Sequence, residues 1–198
     1  IPAKSYPPFV ADFATTPIAR GKLAVAGKKG EKVPYGYVQD KDGIPSDNPD
    51  ILKEGGSMVT LGGDYEHGSH KGYCMSAIVD IFSCVLSGAN FGPFCPPSVA
   101  YLPVKEEKVG EGTGHFFGAM RIDAFQEKDA FLSQMDKWIE TYKDAKPAKG
   151  QDRVLIPGEP EREKRAQILK EGVNVLEPIQ KEMKEIADFF GVDFETGM

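Results

Sequence analysis

Lys71 is the residue of this chain best placed to hold an anion. It stands in a glycine-rich run, Leu61-Gly-Gly-Asp-Tyr-Glu-His-Gly-Ser-His-Lys-Gly-Tyr-Cys74, and opens an apolar stretch whose spacing predicts a helix over 71–86. Glycines let a backbone approach a ligand closely. A helix start offers unpaired N–H groups and a partial positive charge, and Lys71 adds a full charge there. The plainer reading is that the glycines form only a turn, as loops before helices commonly do. His67 and His70 lie in the same run. Their three-residue spacing suits a metal on a helix, but no third ligand accompanies them, so no metal is assigned. His70 adjoins Lys71 and can share its ligand. His115 opens an apolar run and reads as a hydrogen-bonded structural histidine.

Other chemistries find little support. No Gly-x-Gly-x-x-Gly fingerprint is present; Gly110-Glu-Gly-Thr-Gly114 has the wrong spacing and precedes a predicted strand. No phosphate-binding Walker loop, zinc pattern or calcium loop occurs. Asp40 and Asp42 lie among turn residues, and Glu161-Arg-Glu-Lys-Arg165 reads as an exposed helix face. A net charge of −6 and a pI near 5.2 weigh against a nucleic-acid partner. Three cysteines, Cys74, Cys84 and Cys95, have no metal-like spacing. On one helix Cys74 and Cys84 would stand about 15 Å apart, too far to bridge. They read as reduced, buried, small apolar residues of a cytoplasmic protein. The opening Ile1-Pro-Ala-Lys-Ser-Tyr-Pro-Pro8 lacks the apolar core of a signal peptide. The uncharged stretch 81–104 is broken by Gly88, Gly92, Pro93, Pro96, Pro97 and Pro103, so no membrane partner is expected.

The elements that must position Lys71 follow from periodicity and punctuation. Residues 9–14 predict a short buried strand ending at Thr15-Thr16. Residues 18–26 have helical spacing, with Gly27 as the left-handed cap. Residues 34–49 are dense in turn signals and predict an irregular excursion. In the helix over 71–86, Ala77, Ile78, Ile81, Phe82, Val85 and Leu86 form one apolar face, expected to pack in the core, with Ser87-Gly88 ending it. Residues 114–125 predict a buried strand, 128–142 an amphipathic helix, 152–156 a short strand or extended run and 157–160 a turn. Helices follow over 161–171, stopped by Gly172, and 178–190, started by Pro178 and stopped by Gly191. The 198 residues suffice for one substantial domain with an appendage. The expected class is mixed α/β (α+β), with a mixed sheet packed by helices over 1–155 and a helical segment over 156–198.

Several separated segments share one resemblance. They are Asp12-Phe-Ala-Thr-Thr-Pro-Ile-Ala-Arg-Gly-Lys22, Val33-Pro-Tyr-Gly-Tyr-Val-Gln-Asp-Lys-Asp-Gly-Ile-Pro45, Leu61-Gly-Gly63 with Lys71-Gly-Tyr73, Leu86-Ser-Gly-Ala89, Gly114-His-Phe-Phe117 and Ile156-Pro-Gly-Glu159. In this order and spacing the chain resembles the malate/L-lactate dehydrogenase family, whose relatives include sulfolactate, ureidoglycolate and diketogulonate dehydrogenases. The resemblance implies an NAD- or NADP-dependent oxidoreductase that moves a hydride between the nicotinamide cofactor and a 2-hydroxy or 2-keto acid. It implies a nucleotide domain that is not a Rossmann fold, and a homodimer. It places cofactor contacts on Val10, Ala11, Asp12, Phe13, Ala14, Thr15 and Thr16, on His70 and Lys71, and on Gly158, Glu159 and Pro160. The sequence departs from the family at His70, where an aromatic residue is usual, and at Cys74, where a small residue is usual.

The family's catalytic histidine belongs to an N-terminal helical region upstream of the segment matched by Ile1, and none of His67, His70 or His115 matches it. A proton donor at the forming hydroxyl is needed for keto-acid reduction. No catalytic acid is therefore assigned here, and the chain is expected to be the C-terminal portion of the full pattern, with its last helices packing on that N-terminal region. The rival expectation is a non-catalytic nucleotide-binding or assembly module.

Overall fold

The computed structural model describes residues 1–95 and 107–194. The chain divides into two compact units, Phe13–Met120 and Ile1–Asp12 with Arg121–Met198. The described residues form a small sheet and five α-helices, a mixed α/β composition.

In the unit Phe13–Met120, helix α1 (Arg20–Lys29) buries Leu23 and Ala26. Its left-handed cap is Gly30 (φ 68°), whose N–H reaches the carbonyls of Ala26 and Gly27. The expected stop at Gly27 is overrun by one turn. Gly27 has a packing role instead, since a Cβ there would stand 3.2 Å from Asp50 Oδ1. Strands β1 (Val38–Gln39), β2 (Pro45–Ser46) and β3 (Ser57–Met58) form an antiparallel sheet in the order β2-β1-β3, with Val38 opposite both Ser46 and Met58. The expected mixed sheet is thus antiparallel, and it lies partly within the stretch read as loop. Two-residue strands are too short to display alternation. Asp40 Oδ1 accepts from the N–H groups of Asp42 and Ile44 and tightens the β1–β2 turn. Beneath the sheet, Ile18, Leu23, Ala26, Val33, Val38 and Ile51 make one buried cluster.

Helix α2 (Ser69–Asp80) continues as a π-helical turn, Ile81–Val85. Its apolar face does not pack in the core of this chain as expected. Ile78, Ile81, Phe82, Val85 and Leu86 are exposed, Leu86 by 68%. The helix instead buries its small residues, Gly72 and Cys84. Residues 114–125 form no strand either. Phe116, Phe117, Met120 and Phe125 are exposed, and Phe116 meets Phe82 of the π-helical turn edge-on at 5.0 Å. Without a pairing partner, β-prone residues do not make a ladder.

Asn90, 4% exposed, fastens the chain beyond this helix. Its Oδ1 accepts from Val109 and Gly110 N–H at 3.1 Å each, and its Nδ2 donates to the Gly112 carbonyl at 3.1 Å. Of the prolines expected to break the uncharged stretch, Pro96, Pro97 and Pro103 lie outside the described residues. No helix among the described residues is long and apolar enough to cross a membrane.

In the other unit, residues 9–14 are not a strand. Val10 N–H donates to the Pro157 carbonyl at 3.1 Å, and Phe9 meets Trp138 edge-on at 5.7 Å. Helix α3 (Lys128–Lys143) buries Ile139, and Asp136 accepts the N–H groups of Lys4 and Ser5. Residues 152–156 form no strand; they bend at Asp152 and Arg153 and lead into a turn before α4 (Glu159–Glu171). Helix α5 (Glu177–Phe190) has Pro178 in its first turn and a left-handed Gly191 cap. These three helices match the expected ones to within a few residues.

Replacing Asn90 with Ala leaves two N–H donors without their acceptor, and each unmet buried donor costs roughly 1–3 kcal/mol. The expected outcome is a loss of about 2–4 kcal/mol, on that scale, in urea unfolding, with an unchanged m-value.

Candidate functional site

The geometry around Lys71 is set by glycines. Gly68, in the left-handed region at φ 89°, forms the N-cap of α2, and the Lys71 stem lies over it. Gly72 lies against the backbone of Leu61 so closely that a Cβ would collide with the Leu61 carbonyl. A Cβ at Gly62 would come within 2.6 Å of the Gly68 carbonyl carbon. Thr60 Oγ1 donates to the Ser69 carbonyl at 2.9 Å, pinning the first residue of the helix. From its other side, Leu61 N–H donates to the Thr15 carbonyl at 2.9 Å. The structure therefore brings Thr15 and Lys71, far apart in sequence, to one backbone strip.

Lys71 is exposed and forms no ion pair among the described residues. His70 is exposed with its ring 5.9 Å from that of Tyr65. His67 is committed elsewhere: its N–H and Nδ1 both meet Asp64 Oδ1, at 2.9 and 2.6 Å. These contacts hold the Asp64 carboxyl below its ordinary value. Ala11, Asp12, Phe13 and Ala14 are exposed, and Thr16 Oγ1 donates to the Ile18 carbonyl. His115 departs from its structural reading; it is exposed and stacks beside Phe117 at 6.2 Å. Of the cysteines, only Cys84 is buried, which pushes its thiol pKa up, whereas Cys74 is exposed and Cys95 half-buried. A helix that packs through Gly72 leaves Cys74 on the solvent side. Among the described residues no cluster of three metal-binding side chains occurs.

In the unit containing α3, α4 and α5, Val10 and Gly158 meet. Gly158 is buried at φ 93°, and a Cβ there would stand 2.8 Å from Arg162 Nη1 and 3.0 Å from Val10 Cβ. Arg162 also donates to the Pro8 carbonyl at 3.1 Å. A cavity of about 590 Å³ opens here, bordered by Val10, Asp12, Gly158, Pro160, Arg162 and Arg165. That volume is within the range of small-molecule sites. Glu159 turns away from solvent, 14% exposed, and accepts from Lys143 Nζ at 2.6 Å, Arg153 Nη1 at 3.4 Å and Ile156 N–H at 3.1 Å. The Lys143 ammonium, aided by Ile156 and Arg153, holds its carboxyl below the usual 4.5. Arg162 and Arg165 were missed as site residues because their run reads as a solvated helix face. The only local signal was their position two and five residues after the Gly158-Glu159-Pro160 turn.

Lys71 at the start of α2, beside a main chain bared by glycine, is suited to an anion, and the other unit separately holds an apolar cavity with guanidinium groups at its edge. The profile described as malate/L-lactate dehydrogenase matches residues 1–184. The chain belongs to that family. It is 32% identical over 187 residues to a malate dehydrogenase of Pyrococcus horikoshii, covering 94% of this chain and 50% of that one. An L-sulfolactate dehydrogenase of Methanocaldococcus jannaschii matches with the same identity and coverage. The crystal structure of malate dehydrogenase from Entamoeba histolytica superposes with a TM-score of 0.80 at 30% identity, covering 99% of this chain and 54% of that chain. The chain thus spans about half the length of the curated relatives it matches.

The Glu159 knot makes stability depend on acid. Because its folded pKa is lowered, its contribution is fully present above 4.5 and is lost as pH falls through the folded value. Glu159→Gln is expected to cost about 1–2 kcal/mol at neutral pH, the scale of a charge-assisted hydrogen bond, and to flatten the acid limb of a urea-midpoint-against-pH curve.

Proposed function

We propose that the protein is an NAD- or NADP-dependent 2-hydroxy-acid dehydrogenase. The observation that carries this reading is the unpaired Lys71 at the start of α2, tied through Leu61 to Thr15, in a chain of the malate/L-lactate dehydrogenase family. The proposed cofactor contacts are Val10, Ala11, Asp12, Phe13, Ala14, Thr15, Thr16, His70, Lys71, Gly158, Glu159 and Pro160. When bound, the nicotinamide supplies or accepts the hydride. The residues of this chain bind and orient it. Lys71 neutralises phosphate charge, Thr15 and Thr16 present main-chain groups, and Gly158 bares the backbone beside Val10. Glu159 acts through its main chain, its carboxylate being held by Lys143 and Arg153.

The missing Gly-x-Gly-x-x-Gly motif and the small antiparallel sheet support a nucleotide domain other than a Rossmann fold. The substrate class follows the relatives, which are named for malate, sulfolactate and lactate. None of the three histidines is assigned as proton donor. Homodimeric assembly and a cytoplasmic location belong to the same reading; the reduced thiols of Cys74 and Cys84 accord with the latter. A non-catalytic module would bind NADH without turnover, and the dehydrogenase relatives favour the enzyme over it.

Titration with NADH tests the site. Lys71→Ala is expected to raise the Kd by roughly tenfold or more, the scale of a charge-assisted contact, with an unchanged circular dichroism spectrum because the side chain is exposed. Unchanged affinity counts against the assignment. Oxidation of NADH or NADPH with oxaloacetate or pyruvate, assayed with and without the N-terminal helical region that the resemblance implies, separates enzyme from module, and activity in neither case favours the module.

A further inference from the structure

We propose that Arg165 selects NADP over NAD by pairing with the 2′-phosphate of the adenosine ribose. This rests on the reading of the cavity beside Gly158 as part of the cofactor site. The charges around that cavity divide into spent and free. Glu159 is held by Lys143 and Arg153, and Glu163 accepts Arg153 Nη2 at 2.6 Å. Arg162 is held on the Pro8 carbonyl, a neutral acceptor that orients it without cancelling its charge. Asp12, Glu161 and Arg165 remain, each bordering the cavity and none in an ion pair among the described residues.

The three differ in position. Arg165 and Glu161 also border a second depression along α4, which Lys164 and Ile168 line and Asp12 does not. Arg165 therefore stands where the two hollows join, with Lys164 beside it and Asp12 outside the second. Glu161 precedes Arg165 by one turn but forms no ion pair with it among the described residues, so Arg165 is free to meet an external anion. A ribose hydroxyl calls for a carboxylate reader. A phosphate dianion calls for a guanidinium, whose planar fork meets two of its oxygens at once. Around the two hollows Arg162, Lys164 and Arg165 outnumber Asp12 and Glu161, so the local field favours the phosphate.

Fluorescence titration with NADH and NADPH is the test. The protein is expected to bind NADPH roughly tenfold or more tightly than NADH, on the scale of a charge-assisted bidentate contact. Arg165→Ala should lose roughly tenfold to hundredfold in NADPH affinity while NADH affinity stays within about twofold, and Arg165→Lys should keep part of the preference. The NADPH advantage should also shrink as salt is raised, because the pair is exposed. A wild-type preference for NADH, or equal weakening of both cofactors by Arg165→Ala, overturns the inference and leaves the cofactor reading standing. Binding of neither cofactor to the wild-type protein overturns both.

Discussion

The missing side chain at Gly72 allows α2 to lie directly against the backbone of Leu61, and the geometry around Lys71 depends on that approach. Any Cβ would fall inside the Leu61 peptide. Because the two backbones touch, the Ser69 carbonyl comes within reach of Thr60, and Gly62 meets Gly68. Leu61 spends its N–H on Thr15 from the opposite side. A single residue thus couples the segment before α1 to the start of α2. The cost is a glycine inside a helix, about 1 kcal/mol relative to alanine. In exchange the helix start is fixed by main-chain contacts, and Lys71 needs no partner of its own to be placed.

The other unit meets the same problem with charge. Glu159 occupies the first turn of α4, where a carboxylate is favoured by the helix dipole, and it gathers Lys143 from α3, Arg153 and the Ile156 N–H. An ion cluster of this kind contributes more to position than to net stability, because desolvation offsets much of the attraction. Its effect is to fix the turn that contains Gly158. Val10 N–H then finds the Pro157 carbonyl, and Arg162 lies across Gly158 to the Pro8 carbonyl. The cavity wall is in place before any ligand arrives.

What was legible in the sequence was local. The helix over 128–142 showed in its periodicity, those over 161–171 and 178–190 carried their own stop signals, and Gly172 and Gly191 sit where those signals put them. What failed was whatever required knowing a partner. Residues 9–14 and 114–125 have strand composition, yet strand formation needs a neighbouring backbone, and theirs supply isolated contacts only. The periodic face of α2 is real, but periodicity reports that a face is apolar and not that this chain covers it. Lys71 stood out through its own loop, whereas the Thr15–Leu61 bond joins residues too distant for any local signal. The remaining proposed cofactor contacts came through family resemblance.

The run Glu161-Arg-Glu-Lys-Arg165 shows how one known contact can resolve an ambiguous pattern. As an exposed helix it offers no reason to distinguish its charges. Once Arg153 is known to hold Glu159, the helical period requires Glu163, four residues on, to meet the same guanidinium, and it does. By the same spacing Glu161 and Arg165 share another face, and both border the cavity. Arg162 falls between them and crosses to Pro8. A charged helix face is therefore several narrower faces. One of these anchors the fold, and another is left to meet a ligand.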